Sequence, residues 1–197
     1  MIPFRAVLAG LLLMASPACA QPVKTAKPGG FPPVATGVCS VEQLAEIDAA
    51  FMEARAALRF TLERLAEDAS HPELRRWFGT TPGKLIRVNL QRIEARVVEG
   101  RPADTTCNHP TSCRPTSFAF TRPATGALGV CAAFFRAGPR GQDSRFGIMV
   151  HEMSHLAIGT RDATYQPHQV LVLAKDDPAA AAMNADNYEY LVETLYR

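Results

Sequence analysis

The chain has 197 residues, 47% of them hydrophobic and 20% charged, enough for one domain with a buried core and too few for two of ordinary size. Its 21 Lys and Arg against 19 Asp and Glu leave a formal charge of +2, too weak a field for a nucleic-acid surface or a polybasic membrane anchor. No apolar segment after residue 20 is long enough to cross a bilayer, so neither nucleic acid nor stable membrane insertion is expected.

Residues 1–20 read as a cleaved export signal. Arg5 supplies the basic start, Ala6 to Ala15 form a short apolar run, and Ala18-Cys19-Ala20 is a small-residue cleavage site. Lipidation at Cys19 fits less well, because Ser16-Pro17 is a poor match to the pattern that precedes an acylated cysteine. Residues 21–38, with Pro22, Pro28, Gly29, Gly30, Pro32 and Pro33, have no apolar period and read as a flexible leader. The folded domain is expected over 39–197, in a secreted or periplasmic setting. In such a compartment Cys39, Cys107, Cys113 and Cys131 are expected to form two disulfides, although spacing alone leaves three pairings open.

From Ser40, which makes a capping-box pattern with Gln43, the residues Leu44, Ile47, Phe51, Leu58, Leu62 and Leu65 recur at helical spacing and predict a helix to about Glu67. A short helix is predicted after His71-Pro72, ending at Gly79. A third begins at Thr81-Pro82, with Leu85, Leu90, Ile93 and Val97 inward. Between Cys107 and Arg140 the apolar runs Ser117 to Thr121 and Leu128 to Phe135 suit short strands, and the helical period returns after Ser144. His71, His109 and His168 lack partners at ligand spacing and read as turn or surface residues, whereas Trp77 and Met183 read as packing residues.

The sharpest signal is His151-Glu152-Met153-Ser154-His155, an H-E-x-x-H sequence. At 100° per residue the two histidines and the glutamate occupy an arc of about 100°, so two imidazoles can share one zinc ion with a carboxylate alongside. Met149, Met153 and Leu156 fall on the opposite, apolar side. A catalytic zinc site needs a further protein ligand. Downstream stands Gly159-Thr160-Arg161-Asp162-Ala163-Thr164-Tyr165, and near the end Met183-Asn184-Ala185-Asp186-Asn187-Tyr188-Glu189-Tyr190.

With these three blocks in order, the sequence resembles the aspzincins, the deuterolysin and peptidyl-Lys metalloendopeptidase family of secreted zinc peptidases, over roughly residues 148–193. It departs from the family pattern in two places: only Leu156, Ala157 and Ile158 separate His155 from Gly159, and Gln166 stands where Gly often follows the tyrosine. The resemblance implies that His151, His155 and Asp162 bind one zinc, that Glu152 is the general base and that Tyr165 hydrogen-bonds the oxyanion. It also implies disulfides Cys39 to Cys107 and Cys113 to Cys131. Asp186 and Glu189, at i and i+3 of a helix starting near Asp177-Pro178, would present two carboxylates to a basic side chain. In the lysine-specific branch, residues at these motif positions hold the lysine on the C-terminal side of the cut bond.

The resulting expectation is an α+β fold: a mainly helical, zincin-like metallopeptidase domain with a small, disulfide-stapled sheet. It would act as a monomer on protein or peptide substrates, cutting on the N-terminal side of lysine. By analogy with zincins, Leu128 to Phe135 would be the edge strand that pairs with the substrate backbone. The alternatives are a silent zincin-fold binding module, against which the presence of Glu152 argues, and a non-peptidase zinc hydrolase.

Overall fold

The computed structural model describes residues 37–197, so the predicted export signal, Cys19 and the leader up to residue 36 lie outside the described residues. Helix α1 (Val41–Glu67) starts at the predicted capping box: the Ser40 hydroxyl accepts from Gln43 N–H, and the Gln43 side chain accepts from Ser40 N–H. Its inward stripe is Ile47, Ala50, Phe51, Ala54, Leu58 and Leu65, with Leu44 and Leu62 half-buried at its border. Helix α2 (Pro72–Phe78) has His71 as its N-cap, the imidazole Nδ1 accepting from Glu73 N–H at 3.2 Å. Helix α3 (Gly83–Val98) turns Ile86, Leu90, Ile93 and Val97 inward. Leu85, predicted to face the core, is 47% exposed, because the 4-3-4 spacing of that inward set leaves it a full 100° off the stripe.

The middle of the chain forms one small sheet. Strand β1 (Thr105–Cys107) runs parallel to β3 (Ala127–Val130), and β2 (Ala119–Arg122) pairs antiparallel with β3, giving the order β1-β3-β2. The apolar run Leu128 to Phe135 is strand only to Val130. Beyond Cys131 the chain turns, and Phe134 is buried from a 3-10 turn, Phe134–Arg136. That strand is also central rather than peripheral, so the assignment of Leu128 to Phe135 as the edge strand does not hold. The far side of β1 is bridged by Gly37, and β2, packed beside the H-E-x-x-H helix, leaves its far side unpaired among the described residues. Disulfide Cys39–Cys107 ties the start of α1 to β1, and Cys113–Cys131 closes the loop below the sheet. Loops of 68 and 18 residues correspond to about 4 and about 3 kcal/mol of lost unfolded-state entropy.

Helix α4 (Arg145–Ile158) carries the H-E-x-x-H sequence through the middle of the molecule, packed on α1, α3, β2 and the last helix. Every residue from Phe146 to His155 is buried, so the chemical side of this helix is covered as well as its apolar side. After it come α5 (Pro167–Asp176), α6 (Pro178–Ala181) and α7 (Ala185–Leu195). In place of the single helix predicted from Asp177, the chain breaks between α6 and α7. Met183 is 40% exposed at the break rather than in the core, since its backbone carbonyl is drawn inward to accept from Arg161 N–H at 2.7 Å.

Helices α4 and α7 approach closely where Gly147 meets Glu193. The Glu193 carboxylate accepts from both the backbone N–H and the hydroxyl of Ser144, at 2.8 and 2.7 Å, and Ser144 in turn caps α4 through Gly147 N–H. A methyl group on Gly147 would stand 2.1 Å from that carboxylate oxygen. Gly147→Ala is therefore expected to destabilise the protein by about 1–3 kcal/mol, as overpacking of a filled core does. Denaturant melts read this directly, and an unchanged midpoint would show that Glu193 is free to swing away.

Candidate metal centre

Helix α4 ends at Gly159, whose φ of 70° is left-handed and lets the chain reverse immediately after Ile158. The three-residue link from His155 is thus complete: Thr160 and Asp162 fold back over the histidines. Gln166, the other departure from the family pattern, becomes the N-cap position of α5.

Three ligand atoms converge. His151 Nε2 lies 3.0 Å and His155 Nε2 3.2 Å from Asp162 Oδ1, and the two Nε2 atoms are 3.2 Å apart. Tetrahedral zinc with bonds of about 2.0–2.1 Å spaces its ligands about 3.3 Å apart, so this triangle fits one zinc with little adjustment. The outer imidazole nitrogens fix the tautomers. His151 Nδ1 stands 2.7 Å from Asp186 Oδ1 and 3.3 Å from Glu189 Oε2, within ion-pair reach of both, and His155 Nδ1 donates to Thr160 O at 2.8 Å. Each Nε2 then presents its lone pair to the common point, the arrangement by which a second layer of residues orients metal-binding histidines. Ser154 stitches the same turn together, its hydroxyl within 2.6 Å of both His151 O and Thr160 Oγ1.

The electrostatics favour a cation. Burial disfavours a charged His151, but hydrogen bonds to Asp162, Asp186 and Glu189 outweigh it and push the imidazole well above its usual pKa. Burial likewise opposes ionisation of Asp162, yet the hydrogen bonds from His151 and His155 hold its carboxyl far below the ordinary range. A divalent cation that binds the same lone pairs displaces those protons, so metal binding here is pH-dependent and strengthens as pH rises. Burial, followed by the negative charges of Asp162, Asp186 and Glu152, raises the Tyr165 hydroxyl, which stays a protonated donor beside the cluster.

The structure therefore brings together His151, Glu152, His155, Asp162 and Tyr165. Asp186 and Glu189, read from sequence as substrate-facing, are fully buried and abut His151, so their immediate partner is an imidazole. Sequence reasoning misses the orienting role of Thr160, which meets His155 Nδ1 through its backbone carbonyl at 2.8 Å and its hydroxyl at 3.1 Å. Asn184 stands in the third block that carries the resemblance, but sequence reasoning assigns it no role.

A helix bearing two histidines and a glutamate, closed by an aspartate from the following loop in a disulfide-linked helical domain, defines an H-E-x-x-H metallopeptidase architecture. The family model described as lysine-specific metallo-endopeptidase, the aspzincin M35 family, matches residues 64–193, and the chain belongs to this family. An extracellular protease of Aeromonas hydrophila is 30% identical over 92% of this chain and 52% of its own length. A peptidyl-Lys metalloendopeptidase of Grifola frondosa is 32% identical over 82% of this chain and 47% of its own length. The chain thus spans about half the length of these relatives. The solved zinc peptidase from Grifola frondosa superposes with a TM-score of 0.68 at 28% identity, covering 79% of this chain and 97% of that one.

Metal titration tests the ligand triangle. Asp162→Ala is expected to weaken zinc binding by at least tenfold in competition with a chelator, and undiminished affinity would remove Asp162 from the ligand set.

Proposed function

We propose that the protein is an exported endopeptidase that holds one zinc per chain through His151, His155 and Asp162 and cuts peptide bonds on the N-terminal side of lysine. The convergence of two Nε2 atoms and Asp162 Oδ1 within 3.2 Å, one residue from Glu152, carries this reading. Zinc bound there supplies Lewis acidity toward the scissile carbonyl and the attacking water. Glu152 takes a proton from that water as its oxygen bonds to the carbonyl carbon, then delivers the proton to the departing amine as the C–N bond breaks. Tyr165, kept protonated by its surroundings, donates to the oxygen on which charge develops. The side of β2 that is unpaired among the described residues is suited to hold the substrate backbone by main-chain hydrogen bonds. Two disulfides agree with an oxidising compartment and hence with export.

Glu152→Ala is expected to keep zinc and the fold while turnover of a lysine-containing peptide falls by about 10²–10⁴, the range for loss of a general base. Retained turnover would sink the mechanism and leave a zinc-binding module that needs another explanation.

Lysine preference draws support from the peptidyl-Lys name of the relative from Grifola frondosa and from the two α7 carboxylates, which give the wall behind His151 the charge an ammonium seeks. Glu189 is the better probe, standing 3.3 Å from His151 Nδ1 where Asp186 stands at 2.7 Å. Glu189→Gln is expected to lower kcat/KM for cleavage before lysine relative to cleavage before alanine by about tenfold, or 1.4 kcal/mol. Taking the ratio cancels any effect on the metal, which both peptides share. An unchanged ratio would exclude Glu189 from recognition.

A further inference from the structure

We propose that Asn184 is the positioning residue that holds Asp162 in the metal site, an inference that rests on reading Asp162 as a ligand. Asn184 stands at the N-cap position of α7, yet its side chain makes no capping bond to that helix. Its amide is given over to the loop. Oδ1 accepts from Ala163 N–H at 2.8 Å and Thr164 N–H at 3.3 Å, and Nδ2 donates to Thr164 O at 3.2 Å and to Asn187 Oδ1 at 2.8 Å.

The backbone completes the grip from the other side of Asp162. Arg161 N–H donates to Met183 O at 2.7 Å and Ala185 N–H to Arg161 O at 3.0 Å, a parallel bridge centred on Asn184. Asp162 is therefore bracketed, with Arg161 pinned before it and Ala163 and Thr164 pinned after it by one fully buried residue. A primary amide is well matched to this position, because its oxygen takes two N–H donors and its nitrogen gives two, so the buried group is satisfied in full. Aspartate lacks the donors, and glutamine is one methylene too long. The break between α6 and α7 takes Asn184 out of helix and frees it for the loop; Tyr188 OH accepts from Asn89 at 2.7 Å and donates to Ala182 O at 2.7 Å, securing that break.

The test measures metal binding rather than turnover. Zn²⁺ affinity is read by competition with a chromogenic chelator, and the visible spectrum of the Co²⁺-loaded protein reports ligand geometry, for wild type, Asn184→Ala, Asp162→Ala and the double variant. Asn184→Ala is expected to weaken Zn²⁺ by about ten- to a hundredfold, as loss of a group that orients a ligand does. Its Co²⁺ spectrum should shift toward that of Asp162→Ala, and the double variant should bind no more weakly than Asp162→Ala alone. Asn184→Ser, which keeps one short acceptor, is read the same way with a smaller loss should the alanine variant fail to fold. Wild-type affinity and spectrum in the Asn184 variants, or losses that add in the double variant, would overturn the clamp while Asp162 keeps its place. Unchanged affinity in Asp162→Ala would instead sink the ligand reading beneath it.

Discussion

Charge buried between α4 and α7 is the constraint around which the rest of the molecule is arranged. His151, Glu152 and His155 are at most 3% exposed, and Asp186 and Glu189 are fully buried. Ionised groups in such surroundings cost several kcal/mol each unless partners compensate them. The compensation is mutual: imidazole protons face Asp186, Glu189 and the Thr160 carbonyl on one side, and Asp162 closes the other. The two Nε2 atoms and Asp162 Oδ1 that meet there match the spacing of a zinc coordination shell. Site and core are one object here, and the helices cannot be repacked without disturbing both.

This accounts for otherwise odd features of the last third of the chain. A glycine at the α4 and α7 contact lets Glu193 reach Ser144, which sets the axial position of the histidine-bearing helix. A left-handed glycine ends α4 abruptly, so that Thr160 arrives under His155 within one turn. The interruption before α7 forgoes helical hydrogen bonds, but each freed carbonyl finds a partner: Ala182 O takes Tyr188 OH, and Met183 O takes Arg161 N–H.

Much of this is legible from the amino acids. Ser40 and Gln43 announce the start of α1, His71-Pro72 and Gly79 bound α2, and the H-E-x-x-H spacing by itself requires a helix with one chemical face. The central sheet is harder, because Leu128 to Phe135 is apolar throughout and period alone cannot distinguish a buried strand from a strand followed by a buried turn. Strand order is invisible at this level, so nothing in that run separates a central strand from an edge. Leu85 and Met183 are misplaced for a related reason: hydrophobicity marks what is able to be buried, and backbone direction decides what is. Asp186 and Glu189 do share one helical face, as their spacing predicts, but the neighbour that face meets depends on how α7 docks on α4, a tertiary fact. Thr160 stands in the block that begins at Gly159, but that its carbonyl and hydroxyl both meet His155 Nδ1 depends on how sharply the chain reverses there, a tertiary fact.

The two disulfides have a consequence for the site. Their combined contribution, about 4 and about 3 kcal/mol on the chain-entropy account, is comparable to the whole net stability of about 5–15 kcal/mol typical of a folded domain. One bridge anchors the first helix to the sheet beside α4, so the thiol state of the chain bears on the same packing that seats His151. In a reducing cytosol the chain would hold its metal-binding geometry only marginally, and an oxidising environment would complete it. Opening the Cys39–Cys107 bridge would therefore loosen the footing of the first helix on the sheet against which α4 rests, and with it the seat of His151.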